Sequence, residues 1–221
     1  MIDLSKYRVI DLSYDLVPGE RRIDGRYLHG ATFYDRPVET QEFIAFGARM
    51  HHIQTQTHIG THAECPYKYS DDGPDFADLP ATHYMGEAIA CNFTHKQAGE
   101  AITSDDFRAA GVKTGDIVLV WCSQETLHDL PYITVEAVDW LIETKIKALV
   151  LENLRYSPPG TPHGQGDADC KLLLAGVMMI DAPLGLNQIT KERVFFIGLP
   201  PKMRRVTAFP IRAIALEEID G

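Results

Sequence analysis

His58-Ile59-Gly60-Thr61-His62-Ala63-Glu64-Cys65-Pro66-Tyr67-Lys68 gathers two imidazoles, a carboxylate and an amine within eleven residues, around one glycine and one proline. In a helix the four-residue spacing would put His58 and His62 on one face, but Glu64 would point away and Gly60 would weaken the turn. In an extended segment, positions 58, 62, 64 and 68 are separated by even offsets and share one face. The extended reading is therefore the one that gathers all four groups. Ile53, Thr55 and Thr57, alternating with Gln54 and Gln56, carry the strand-like pattern upstream. Gly60 permits a bend or a close backbone approach, and Pro66 ends regular pairing.

Two neutral imidazoles and a carboxylate make a three-ligand set for Zn²⁺ or Mn²⁺, with positions left open for water and substrate. The helical zinc-protease signature is excluded, because Ile59 stands where that motif has its glutamate. The plainer reading makes His58 and His62 structural or surface histidines, Glu64 a solvated turn residue and Lys68 an exposed lysine. A lysine held beside a metal would have its pKa pushed down and could act as acid, base or oxyanion partner.

The segment resembles the HxGTHxDxPxH motif of the cyclase family of metal-dependent hydrolases, which includes bacterial kynurenine formamidases and isatin hydrolase. Other stretches follow that family's order. Val9-Ile10-Asp11-Leu12-Ser13 resembles its N-terminal DLS strand, and residues 115–120 its central GDxVL strand. Leu172-Leu173-Leu174-Ala175-Gly176 and the following Val177-Met178-Met179-Ile180 are similar to its later helix and strand. Gly198-Leu199-Pro200 and Pro210-Ile211-Arg212-Ala213 resemble its closing LP and PxRA elements. The resemblance runs over almost the whole chain. It implies an α/β protein with the swivelling β/β/α fold of the kynurenine formamidase-like family, as a single domain over residues 1–221.

The resemblance also implies site roles, and here the chain departs from the family pattern. The family's first metal triad of His, His and Asp falls on His58, His62 and Glu64, which lengthens the carboxylate arm by a methylene. The motif's last histidine, an acid/base in the formamidases, falls on Lys68. In dinuclear members a further His and Glu complete a second metal position, and these fall on Asp169 and Asp181. Oxygen ligands there would favour a harder ion, Mn²⁺ or Mg²⁺, over zinc. Each also has a plainer reading, Asp169 as a helix N-cap and Asp181 as a cap of the turn into Ala182-Pro183. Glu152 could pair with Arg155, anchor an anionic substrate or serve as a base. His163 is a candidate substitute for the missing histidine. Cys65, followed by Pro66, reads as a small packed thiol rather than a nucleophile.

Outward from the motif, a chain of 221 residues that is 45% hydrophobic can bury a sizeable core. A formal net charge of -10, with no basic stripe, disfavours nucleic acid as a partner. No apolar run approaches the roughly 20 residues of a membrane span, and residues 1–6 lack the basic and apolar regions of a signal peptide. Cys65, Cys91, Cys122 and Cys170 form no C-x-x-C pair, so a cytoplasmic, reducing setting is expected.

Residues 14–50, irregular and carrying Tyr27, Phe33, Tyr34, Phe43 and Phe46, read as an arm or lid. From Ile117 the pattern becomes an α/β alternation. Residues 117–121 read as a buried strand, and Thr134 can cap a helix with Val135, Val138, Leu141, Ile142 and Ile146 on its apolar face. Residues 148–151, 177–180, 194–197 and 211–216 read as further strands, and residues 170–175 as a short helix stopped by Gly176. Glu152 and Asp181 fall at the carboxyl ends of two strands, where open α/β sheets place their ligands.

These readings predict a metal-dependent hydrolase that attacks an amide, formamide, lactam or lactone carbonyl of a small molecule through a metal-activated water. His58, His62 and Glu64 would hold a divalent ion, Mn²⁺ or Zn²⁺, with Asp169 and Asp181 as further ligands. Lys68, Asp181 and Glu152 would be the catalytic groups. One alternative is a cyclase or dehydratase using Lys68 as acid/base, and another is a non-catalytic binding protein on a degenerate scaffold. The resemblance further implies a homodimer or homotetramer.

Overall fold

Ile117-Val118-Leu119-Val120-Trp121 is buried along its whole length, as an apolar run with no polar face requires. It lies in the middle of a nine-stranded sheet. The computed structural model describes residues 3–19, 38–123, 130–152, 154–158, 160–161 and 168–219, together with the backbone of 22–23 and 26–27. In chain order the strands are β1 (Tyr7–Asp11), β2 (Arg22–Ile23), β3 (Arg26–Tyr27), β4 (Glu39–Ala45), β5 (Ala48–Gln54), β6 (His62–Glu64), β7 (Met85–Asn92) and β8 (Ala101–Ile102). They continue with β9 (Ile117–Trp121), β10 (Tyr132–Ile133), β11 (Ala148–Glu152), β12 (Met178–Asp181), β13 (Arg193–Ile197), β14 (Ala208–Pro210) and β15 (Ile214–Glu218). Among the described residues the α-helices are α1 (Ser104–Ala110), α2 (Val135–Thr144) and α3 (Ala168–Leu174).

The main sheet runs β1-β15-β13-β7-β9-β11-β12-β6-β14. Its centre, β7-β9-β11-β12, is parallel. Antiparallel strands extend it on both sides. Side chains alternate between two cores, because successive strand residues point to opposite faces. Val118, Val120, Leu149, Leu151 and Met179 pack with Phe107, Val138, Leu141 and Leu172 of the helices. Ile117, Leu119, Val150, Met178 and Ile180 pack on the other face with Ile10, Tyr84, Phe196 and Ala215. The fold is thus mixed α/β, with helices on one face of a curled sheet.

Thr134 caps α2 as its sequence suggests, its hydroxyl accepting from the Ala137 N–H at 3.1 Å. Val135 is nevertheless 51% exposed. The buried stripe is centred on Ala137, Val138 and Leu141, and at 3.6 residues per turn Val135 falls outside it. Of the strand expected at 211–216, only residues 214–216 lie in a strand, the start of β15; Ile211, Arg212 and Ala213 separate it from β14, which lies toward the opposite edge of the sheet. The irregular stretch at 14–50 ends in a regular exposed hairpin, β4–β5, turning at Phe46 and Gly47. Tyr27 is seen only as backbone, and Phe33 and Tyr34 lie outside the described residues.

Candidate metal centre

The strand β6 is three residues long and lies between β12 and β14, all three residues buried. Alternation sends Ala63 into the core opposite the helices and leaves His62 and Glu64 on the helix-side face. There His62 stands opposite Asp181, and Glu64 opposite Met179. The carboxyl end of the parallel strand β12 therefore meets the motif directly.

The extended run expected through 58–68 exists only as these three residues. Gly60, at φ +57°, turns the chain just ahead of β6, and its carbonyl accepts from His62 Nδ1 at 2.9 Å. A methyl group at Gly60 would come within 2.7 Å of Leu16 Cδ2. After β6, Pro66–Lys68 forms a 3₁₀ turn that folds Lys68 back onto Glu64. The four groups do converge, but through a bend and a turn rather than one strand face.

His58 Nδ1 lies 2.8 Å from Glu64 Oε1, and His62 Nε2 lies 3.6 Å from the same oxygen. His58 presents its other nitrogen to the Thr207 hydroxyl at 3.3 Å. One donor atom from each of the three side chains lies within 4.8 Å of the others. Metal–ligand bonds of about 2.0–2.2 Å place neighbouring ligands roughly 3 to 3.5 Å apart, close to the two Glu64 contacts at 2.8 and 3.6 Å, and a small inward shift of the imidazoles would complete the shell. The Gly60 carbonyl fixes a proton on His62 Nδ1 and turns Nε2 toward Glu64, which is the tautomer a metal ligand needs. The donor set therefore fits a divalent ion.

Electrostatics bind the same groups together. Burial alone would lower the pKa of His62, but its contact with Glu64 and the charges of Asp181 and Glu64 raise it. Burial would raise that of Glu64, yet the hydrogen bonds to His58 and His62 and the Lys68 charge hold it well below the usual carboxylate range. Lys68 Nζ donates to Glu64 Oε1 at 2.9 Å, to Glu64 Oε2 at 2.8 Å and to Asp169 Oδ2 at 2.8 Å. In the metal-free chain the balance at Lys68 runs upward. Burial does act downward, but Glu64 and Asp169 outweigh it and hold the ammonium well above its ordinary range.

Asp169 is the second residue of α3 rather than its N-cap, and its Oδ1 accepts from the Cys170 N–H at 2.7 Å. Its Oδ2 receives both the Lys68 ammonium and the Tyr69 hydroxyl. Asp181 ends β12, buried, with its carboxyl pushed up to about 6 by burial and then by the Glu64 charge. Tyr156 faces this group as well. Burial first, and then the charges of Asp181 and Asp169, raise its hydroxyl pKa.

Glu152, expected among the catalytic groups, is engaged by the backbone. Its two oxygens accept the Gly185 N–H at 3.1 Å and the Leu186 N–H at 2.7 Å, so it anchors the turn after β12. The carboxyl-end position of a strand marked it out in sequence, but the chain returning from β12 supplies its partners. Cys65 is buried, donates to the Val206 carbonyl at 3.3 Å, and has its thiol pushed up to about 11 by burial. His163 lies outside the described residues. Sequence reasoning passed over Tyr69, Thr207 and Tyr156. Only Tyr69 carried a signal, as the immediate neighbour of Lys68.

A family model described as "Putative cyclase" matches residues 10–157. A kynurenine formamidase of Erythrobacter litoralis (strain HTCC2594) is 26% identical over 222 residues, covering 98% of this chain and 97% of the relative. A kynurenine formamidase of Bordetella petrii is 24% identical over 172 residues, covering 75% of this chain and 79% of the relative. Among solved structures, isatin hydrolase A from Labrenzia aggregata bound to benzyl benzoate superposes with a TM-score of 0.77 at 18% identity, covering 97% of this chain and 95% of that one. A potential metal-dependent hydrolase with cyclase activity superposes with a TM-score of 0.72 at 18% identity, covering 97% of this chain and 100% of that one. The fold is shared with both.

Proposed function

The chain belongs to the cyclase family, and from that premise we propose that it is a divalent-metal-dependent hydrolase of a small-molecule amide, formamide, lactam or lactone. The observation that carries this reading is the convergence of donor atoms from His58, His62 and Glu64 within 4.8 Å. Mn²⁺ or Zn²⁺ suits two imidazoles and a carboxylate, and the nearby oxygens of Asp181 and Asp169 favour the harder Mn²⁺. The curated relatives named for kynurenine formamidase support a carbon–nitrogen bond as the one cleaved.

Bound between His58, His62 and Glu64, a divalent ion supplies Lewis acidity, polarising a carbonyl and making water a nucleophile at neutral pH. The residues around it do the rest. The Gly60 carbonyl and the Thr207 hydroxyl hold the two imidazoles in place. Asp181, buried beside His62 and tuned near 6, is the group placed to take a proton from the attacking water and pass it to the leaving nitrogen. The Lys68 ammonium, held by Glu64 and Asp169, faces negative charge developing on the carbonyl oxygen as an electrostatic partner.

The buried, unbridged cysteines suit a reducing cytoplasm, and no helix among the described residues is long and apolar enough to cross a membrane. The exposed hairpin β4–β5, with Ile44, Phe46 and Ile53 uncovered, supports a homodimer or homotetramer.

The test is metal content together with turnover on a panel of aryl formamides, lactams and lactones. Purified protein reconstituted with Mn²⁺ or Zn²⁺ should hold stoichiometric metal and hydrolyse at least one class. The His58→Ala/His62→Ala double variant should lose both properties. Full activity in that variant, or no metal in the native protein after reconstitution, would sink the reading.

A further inference from the structure

We infer that the Lys68 ammonium is a built-in cation that fills the space between Glu64 and Asp169, and so limits this centre to one exchangeable divalent ion. The inference rests on the metal reading of His58, His62 and Glu64, and goes beyond it by assigning the adjoining cation position to the chain itself.

An ammonium carries three donors and no acceptor. All three are accounted for by carboxylate oxygens at 2.8–2.9 Å, two from Glu64 and one from Asp169. Both carboxylates are nearly sealed from water, with side-chain exposures of 1% and 3%. Glu64 thus presents Oε1 toward the histidine pair and shares both oxygens with the lysine. One carboxylate serves two cation positions.

The lysine is also held in place. Its 3₁₀ turn is packed against Gly73, where even a methyl group would come within 2.8 Å of the Pro66 backbone. The Tyr69 hydroxyl closes on the Asp169 oxygen that receives Nζ, and the Tyr69 ring lies 5.1 Å from Nζ. Neither the turn nor the acceptor can easily be withdrawn to vacate the position for a second ion.

Charge balance points the same way. Glu64, Asp169 and Asp181 bring three carboxylates to the centre, and one divalent ion with one ammonium neutralises them. A second divalent ion would have to approach the ammonium at contact distance, where like charges repel strongly in a buried setting. Remove the ammonium, and Glu64 and Asp169 become two bare oxygen ligands facing one another, a natural site for a hard cation.

The experiment counts Mn²⁺ by titration with electron paramagnetic resonance, and by metal analysis after gel filtration, without reference to turnover. Native protein should saturate at one ion per chain with no spin-coupled pair. Lys68→Met should saturate at two, with a coupled signal, whereas Lys68→Arg, which keeps the charge, should stay at one. If Lys68→Met does not fold, Lys68→Gln supplies a neutral side chain at the same position and should also read two. Two ions in the native protein would overturn this inference and leave the hydrolase reading standing. One ion in every folded variant would overturn it as well. No ion in the native protein would overturn both.

Discussion

Lys68 Nζ lies 2.8 Å from Asp169 Oδ2, joining residues 101 positions apart in the chain. That contact ties the turn after β6 to the first turn of α3, so the metal motif and the second half of the sheet share one charged cluster. A buried ion pair of this kind is costly to break from one side, because the remaining charge is left without a partner. The predictions below follow from which groups in that cluster touch the reaction and which only hold it.

Asp181 is the group whose ionisation should be visible in both activity and stability. Its folded carboxyl sits at about 6, above an ordinary value of 3.8. A raised carboxyl contributes stability that is complete below the ordinary value and is lost as pH rises through 6. At roughly 1.4 kcal/mol per unit, the ionised group costs the metal-free protein about 3 kcal/mol at neutral pH. Asp181→Asn, unfolded by urea with a chelator present, should therefore be more stable than the native protein by about 2–3 kcal/mol near pH 8 and no more stable near pH 4. Its hydrolysis should be lost, while in the native enzyme kcat/KM should fall as the pH drops through the Asp181 titration. An equal stability difference at both pH values would remove Asp181 from this role.

Glu152 should behave as an anchor. Replacing it by glutamine turns one acceptor into a donor facing a buried N–H of Gly185 or Leu186, at a cost of about 1–3 kcal/mol. Thermal and urea denaturation should show that loss, with kcat changed by less than about threefold. A kcat reduced by two orders of magnitude at unchanged stability would restore Glu152 as a base.

Gly60→Ala should weaken metal binding without touching a ligand. Its φ of +57° costs an L-residue about 1–2 kcal/mol, and the added methyl presses on Leu16. The carbonyl that orients His62 shifts with it, and loss of such an orienting contact typically lowers metal affinity about 10–100-fold. Competition with a fluorescent chelator would read the change. Affinity equal to the native protein's would mean that His62 keeps its orientation by other means.

Cys65 should prove dispensable to the chemistry although it sits inside the motif. With its thiol pushed up to about 11 by burial, the thiolate is scarce at neutral pH. Native protein should resist alkylation by iodoacetamide, and Cys65→Ala should retain kcat within about threefold. Rapid alkylation accompanied by inactivation would reopen a nucleophilic role.

The parts of the fold legible in sequence were those set by local rules. Residues 117–121 had no polar face, and only a doubly covered strand accommodates that. Thr134 stood one residue before an amphipathic stretch, and its hydroxyl does cap α2. The motif at 58–68 announced a cluster of donors through residue type and spacing alone. Less legible was how those donors meet. Even offsets suggested a single strand, but the chain bends at Gly60, packed against Leu16, and turns at Pro66, packed against Gly73, and such close contacts leave no periodic trace in sequence.

What the sequence determined by itself was the inventory: two imidazoles and a carboxylate spaced to share an ion, a lysine four residues further on, and two aspartates on a later helix and strand. Tertiary structure decided their contacts. By setting Lys68 against both Glu64 and Asp169, it gave an amine that the sequence left open between an exposed lysine and an acid, base or oxyanion partner three contacts with buried carboxylate oxygens. By returning the chain from β12 past Glu152, it gave that carboxylate two backbone N–H partners. Protonation and hydrogen bonding depend on which charges and donors lie within a few ångströms, and across a hundred residues of chain only the folded sheet determines that.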